Sequence, residues 1–226
     1  MELDFAARAL TIKLVYYGPA LSGKTTNLKA LHGLFGSEAR GRLMTLDTRD
    51  DRTLFFDLLP LRFTAASGLS VCLKLFTVPG QVIHNATRRL VLAGADGVAF
   101  IADSRVSETR ESAAAFMNLR QNLIDNSLNP DQMPVVIQFN KRDLPEIRSD
   151  AEIDSLAKQG KEPVFKAVAT RGEGVLATFF GLVRITCAQL EQRHRLSEKF
   201  QLHPEELVAN LEKRLAPVAV RPEEAP

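Results

Sequence analysis

Gly18-Pro19-Ala20-Leu21-Ser22-Gly23-Lys24-Thr25-Thr26 is the stretch around which the rest of the chain is organised. It follows the apolar run Ile12-Lys13-Leu14-Val15-Tyr16-Tyr17 and precedes Asn27-Leu28-Lys29-Ala30-Leu31, whose apolar residues have helical spacing. A strand, a glycine-bounded loop and a helix, with Gly18, Gly23, Lys24 and Thr25 at these spacings, describe a loop that cradles phosphate. Phosphate oxygens need several backbone N–H groups converging on one point, so the loop must curl tightly. The helix starting near Lys24 adds its free N–H groups and the positive end of its dipole. Gly18, Ala20, Leu21, Ser22, Gly23, Lys24, Thr25 and Thr26 are therefore candidate nucleotide-binding residues. Lys24 reaches the β- and γ-phosphates, and the Thr25 hydroxyl is a candidate ligand for Mg²⁺.

The 226 residues are 45% hydrophobic and 25% charged, which suits one soluble α/β domain with some excess length. Lysine plus arginine number 29 against 27 acidic residues, and a net charge of +2 points to no acidic partner. No basic block interleaved with aromatics supports nucleic acid binding. Cys72 and Cys187 are far apart, with no Cys/His cluster, so neither a disulfide framework nor a thiolate metal site is expected. A reducing, cytoplasmic location fits this cysteine usage. The N-terminal MELDFAARAL has no signal-peptide character, and no apolar run approaches the ~18 residues of a membrane span. Glu2 rules out N-myristoylation and the last residues carry no prenylatable cysteine, so no direct membrane anchor is expected.

Apolar runs and breakers predict strands over 10–17, 54–63, 69–78, 97–102, 134–139 and 163–168. Helices are expected over 24–35, 82–93, 107–126, 151–158 and 174–194, with Arg88 and Arg89 on the polar side of the second. Ala65-Ala66-Ser67-Gly68 reads as a hairpin turn, and residues 41–52 as an exposed polar loop. Alternating strands and helices specify a mostly parallel sheet of about six strands, helices on both faces, with the hairpin adding one antiparallel edge strand. Ligands of such sheets bind at the carboxyl ends of the strands. Residues 1–195 would form this domain and 196–226 a C-terminal extension. In the extension, 204–215 has the charge pattern and apolar stripe (Leu207, Val208, Leu211, Leu215) of a short amphipathic helix. It is too short to stand alone, so it docks either on its own domain or on a partner. The proline-rich remainder reads as disordered.

The loop after the fifth expected strand is Asn140-Lys141-Arg142-Asp143. A carboxylate there can accept from both N1–H and the 2-amino group of guanine, a donor pair adenine lacks. Asn140 would tie this loop to the phosphate loop, and the Lys141 stem would lie over the base plane.

Together, VYYGPALSGKTTNL (15–28), DRTLFFDLLP (51–60), TVPGQVIHNATRRLVL (77–92) and NKRD (140–143) resemble the Ras-like small GTPases, and within them the bacterial MglA family. The resemblance covers about residues 8–190. It implies a P-loop NTPase fold and a GTP/GDP switch that hydrolyses GTP with Mg²⁺, acting in cell polarity or gliding motility with a roadblock-type (MglB-like) activating protein and an unknown effector. By the same resemblance, Thr53 would bind Mg²⁺ and the γ-phosphate, the Gly80 N–H would touch the γ-phosphate, and Gln81 would orient the attacking water. Arg52 would be an internal arginine finger; its alternative is a solvated loop charge beside Asp50 and Asp51. Ala169, with Thr170, would meet guanine O6 through its backbone N–H.

Two departures from the family pattern stand out. Thr77 occupies the position of the Asp that usually begins the Asp-x-x-Gly motif, as in MglA-type proteins. Asp57 on the neighbouring strand is either its replacement, holding Mg²⁺ through water, or a residue facing solvent. Ala20 stands where glycine is usual, close to where Gln81 and the finger must pack, and predicts slow intrinsic hydrolysis. Two other functions remain open: a guanine-nucleotide-loaded docking module that barely hydrolyses, and an ATP-using P-loop enzyme, against which Asp143 argues.

Overall fold

In a computed structural model of the chain, which describes residues 1–4, 6–46, 56–65 and 67–215, strands and helices alternate. β1 (Glu2–Asp4) and β2 (Ala9–Tyr17) precede α1 (Lys24–Leu34). β3 (Met44–Leu46) lies against a hairpin of β4 (Phe56–Thr64) and β5 (Ser70–Thr77). A 3-10 turn, Val82–His84, opens α2 (Asn85–Leu92), and β6 (Gly97–Asp103) follows. A second such turn, Val106–Glu108, opens α3 (Thr109–Asp125) ahead of β7 (Val135–Asn140). α4 (Asp150–Gln159) starts at a capping box in which the Ser149 and Glu152 side chains each accept from the other's backbone N–H. β8 (Val164–Lys166), α5 (Val175–His194), α6 (Leu196–Phe200) and α7 (Pro204–Glu212) complete the described chain.

The strands form one sheet in the order β3-β4-β5-β2-β6-β7-β8, with β1 beside β2. β2, β5, β6, β7 and β8 are mutually parallel, whereas β1, β3 and β4 pair antiparallel. The six expected strands are all present. β1 and β3 extend the sheet, and β3 rather than the hairpin forms its outer edge. Three residues are too few to display an alternation, so neither short strand announces itself in the sequence. β3 also takes up part of what reads as an exposed loop over 41–52.

Alternation along β2 distributes the core. Leu10, Ile12, Leu14 and Tyr16 enter one buried cluster with residues of α1, α5 and α7, while Val15 and Tyr17 enter another with residues of α2 and α3. β6 is buried at every position, as expected of a strand covered on both faces. Towards the start of β2 the Lys13 ammonium lies 4.9 Å from the Phe76 ring centre and donates to the carbonyl of Ala93, the residue that caps the end of α2.

The C-terminal helix packs on its own chain. Leu207, Val208 and Leu211 of α7 are buried in the first cluster, beside α5. Each such side chain contributes about 1.5–3 kcal/mol of burial, enough to hold a helix that would not form alone. Arg88 departs from expectation: it is buried, at 4% exposure, rather than on a polar face. Asn85, one turn earlier on the short α2, turns that side of the helix toward a polar cluster on α3, and Arg88 follows it inward.

Candidate functional site

β2 delivers the chain at Tyr17 into a loop curled by left-handed backbone at Leu21 (φ 58°) and Gly23 (φ 100°). Gly23 is constrained further by its surroundings, since a Cβ there would lie 2.2 Å from Asn140 Nδ2. Lys24, the first residue of α1, is buried, and its ammonium donates to the carbonyls of Gly18 (3.0 Å) and Pro19 (2.6 Å). Burial, joined by the neighbouring Arg88 charge and opposed by Asp57, pulls its pKa down to about 8. A desolvated cation held by carbonyls at a helix N-terminus is a site prepared for an anion.

Asp57 on β4 is the hub of the adjacent cluster. It is buried, and its carboxylate accepts from the hydroxyls of Thr25 (2.6 Å), Thr45 (2.9 Å) and Thr77 (3.0 Å). The Thr77 oxygen also accepts the Asp57 backbone N–H at 2.8 Å. The solvent-facing alternative for Asp57 is thereby excluded. The carboxylate lies one strand over from where the Asp-x-x-Gly pattern would put it, and Thr77 braces it across the β4–β5 hairpin. Lys24, Thr25, Thr45, Asp57, Thr77 and Gly80 line one groove of about 520 Å³. Among the described residues no three His, Cys, Asp or Glu side chains form a metal cage. Mg²⁺ seldom needs one: a hydroxyl, one carboxylate and substrate phosphates suffice, and this donor set fits that arrangement.

Gly80 presses against the phosphate loop so closely that a Cβ would lie 2.4 Å from the Ala20 Cα and N. Gln81 is exposed and borders a second cavity of about 250 Å³, shared with Ala20, Gly80 and Arg88. Arg52 and Thr53 lie outside the described residues.

At the other end of the site, Asn140 joins two loops. Its Nδ2 donates to the Ser22 carbonyl at 2.8 Å, and its Oδ1 accepts the Ala169 N–H at 3.0 Å. Lys141 takes a left-handed backbone (φ 64°) and donates to Asp103 at 2.7 Å. Burial alone would raise the Asp103 pKa, but hydrogen bonds from Arg105 and Lys141 outweigh it and hold the carboxyl at about 2. Asp143 lies 4.0 Å from the Arg171 guanidinium, and Ala169 and Thr170 begin a 3-10 turn that leaves Thr170 exposed. Sequence reasoning misses Asp103, Arg105 and Thr45 beside the site, and Arg88 behind it. Asp103 had a signal, since it ends a buried strand at the sheet's carboxyl edge; nothing local marks Thr45 or Arg88.

No protein-family model matches the chain. The Mutual gliding-motility protein MglA of Myxococcus xanthus (strain DK1622) is 39% identical to it over 190 residues, covering 84% of this chain and 97% of that protein.

Proposed function

The chain belongs to the MglA family of small GTPases, and from that membership we propose that it is a GTP-binding switch of gliding motility or cell polarity that hydrolyses GTP to GDP. Lys24 and the backbone of residues 18–26 hold the β- and γ-phosphates. Thr25, Thr53 and Asp57 would hold Mg²⁺, which would neutralise phosphate charge when bound. Gly80 reads the γ-phosphate, Gln81 orients the attacking water, and Arg52 stabilises the charge that develops on the transferred group. Asp143, Lys141 and Thr170 select guanine, while Ala169, whose N–H is donated to Asn140 rather than left for guanine O6, ties their turn to the Asn140 loop. A roadblock-type, MglB-like activating protein and an effector are the partners assigned, and the cytosol the place of action. No helix among the described residues is long and apolar enough to cross a membrane.

Asn140 carries this reading. One buried side chain links the phosphate loop at Ser22 to the turn at Ala169, so the two ends of a nucleotide would meet a single rigid frame. Single-turnover cleavage of GTP with ATP left untouched is the expected result on the purified protein, and equal use of both overturns the assignment. Asp143→Asn is expected to cost about a hundredfold in GDP affinity, because an amide opposes at least one of guanine's two donors. GDP affinity held at the wild-type value would remove Asp143 from the base site.

That Ala20 and Gln81 line one cavity favours a second reading, a docking module with little turnover. A methyl group at the edge of that cavity would take up room that Gln81 and a finger need during hydrolysis. Ala20→Gly is expected to raise single-turnover GTP hydrolysis about tenfold, a change of roughly 1.4 kcal/mol in the barrier. An unchanged rate would discharge the methyl group as the cause of slow turnover.

A further inference from the structure

We propose that Arg88 is a positioning residue that clamps Pro79–Gln81 against the phosphate loop and aims the Gly80 N–H at the third phosphate. Its guanidinium donates from Nη1 to the Gln81 carbonyl at 2.5 Å and to the Pro79 carbonyl at 3.5 Å, and from Nη2 to Asn85 Oδ1 at 3.2 Å. Asn85 Oδ1 is itself fixed, accepting from Asn118 (3.1 Å) and Asn122 (2.9 Å) of α3. Asn122 also donates to the Tyr17 hydroxyl at 3.0 Å, and that hydroxyl donates to Asn118 at 2.5 Å. Tyr17 is the residue before Gly18. The guanidinium therefore sits in a frame built from β2, α2 and α3, with the loop segment hung from it.

Peptide geometry gives the clamp its consequence. In a trans peptide the C=O and N–H point to opposite sides, so holding the Pro79 carbonyl at Arg88 turns the Gly80 N–H away from it. Pro79 and Gly80 border the groove that contains Lys24 and Thr25, while Arg88 borders the neighbouring cavity with Gly80 and Gln81. A planar fork with five donors can hold two carbonyls and an amide oxygen at once; an ammonium cannot match that geometry. Arg88 is a positioning residue, bonded to the carbonyls of Pro79 and Gln81. It acts through the backbone it holds.

The inference rests on the guanine-nucleotide reading and predicts a selective defect. GDP has no third phosphate to meet Gly80, whereas GTP has. Arg88→Ala is expected to bind GDP within about threefold of wild type but a slowly hydrolysed GTP analogue (GTPγS) at least about tenfold more weakly, the scale of one lost charge-assisted bond. Millimolar guanidinium ion is expected to restore part of the analogue affinity by filling the vacated frame. Arg88→Lys, which keeps the charge, is expected to retain GDP binding and still lose analogue affinity; it carries the comparison if the alanine variant does not fold. Equal losses for both nucleotides would make Arg88 a general structural residue and overturn the inference, as would no loss at all. Wild-type protein that binds neither nucleotide would overturn the functional reading itself, and this inference with it.

Discussion

Lys24→Ala is expected to weaken GDP and GTP binding by about 10²- to 10³-fold while the protein still folds, because it removes a buried cation whose natural partner is the phosphate. That ammonium donates to the Gly18 and Pro19 carbonyls. Truncation leaves two carbonyls that water can reach through the open groove, so the fold loses little. The same group imposes a pH dependence whose sign follows from its lowered pKa of about 8 against an ordinary 10.5. Between these values the unfolded chain binds more protons than the folded one, so stability rises with pH from about 8 to 10.5. Nucleotide affinity runs the other way. Phosphate binds the charged ammonium, so affinity falls as pH rises through about 8, and binding above it takes up a proton. Calorimetric titration with GDP at pH 7 and pH 9, beside thermal unfolding at both, reads both trends, and Lys24→Ala is expected to abolish them. Wild-type affinity in that variant would mean the loop does not hold phosphate through Lys24.

Asp57→Asn is expected to lower Mg²⁺ affinity in the nucleotide complex by about 10- to 100-fold, the usual cost of losing a group that supports a metal from behind its ligands. Thr25, Thr45 and Thr77 all aim hydroxyls at this carboxylate. Hydroxyls rotate and can accept as well as donate, so an isosteric amide keeps the cluster satisfied and the fold stable. What disappears is the negative charge beside Thr25. The Mg²⁺ concentration that half-suppresses GDP release measures the effect directly. An unaltered Mg²⁺ requirement would reduce Asp57 to a brace between two strands.

Much of this site lies in local sequence. The phosphate loop is a run of neighbours, and Asn140 and Asp143 share one strand end, so spacing alone exposes them. The mostly parallel sheet follows from apolar runs separated by helical periods. Other features have no local trace. The burial of Asp57 depends on hydroxyls from Thr25, Thr45 and Thr77, which come together only when β3, β4 and β5 pair beside α1. Arg88 reads as a surface charge because a single short helix does not reveal that Tyr17 and α3 supply its polar lining.

Sequence by itself determined the order of the elements, the tightly curled loop at 18–26 and the strand end at 140–143, because periodicity, glycine placement and capping act over a few residues. Tertiary structure alone decided which side chains meet: that α7 folds back on its own chain, that Asp57 serves the groove rather than solvent, and that Arg88 holds the loop before Gln81. Buried polar groups must find partners wherever the packed chain offers them, and those partners are set by strand order and helix docking, not by distance along the sequence.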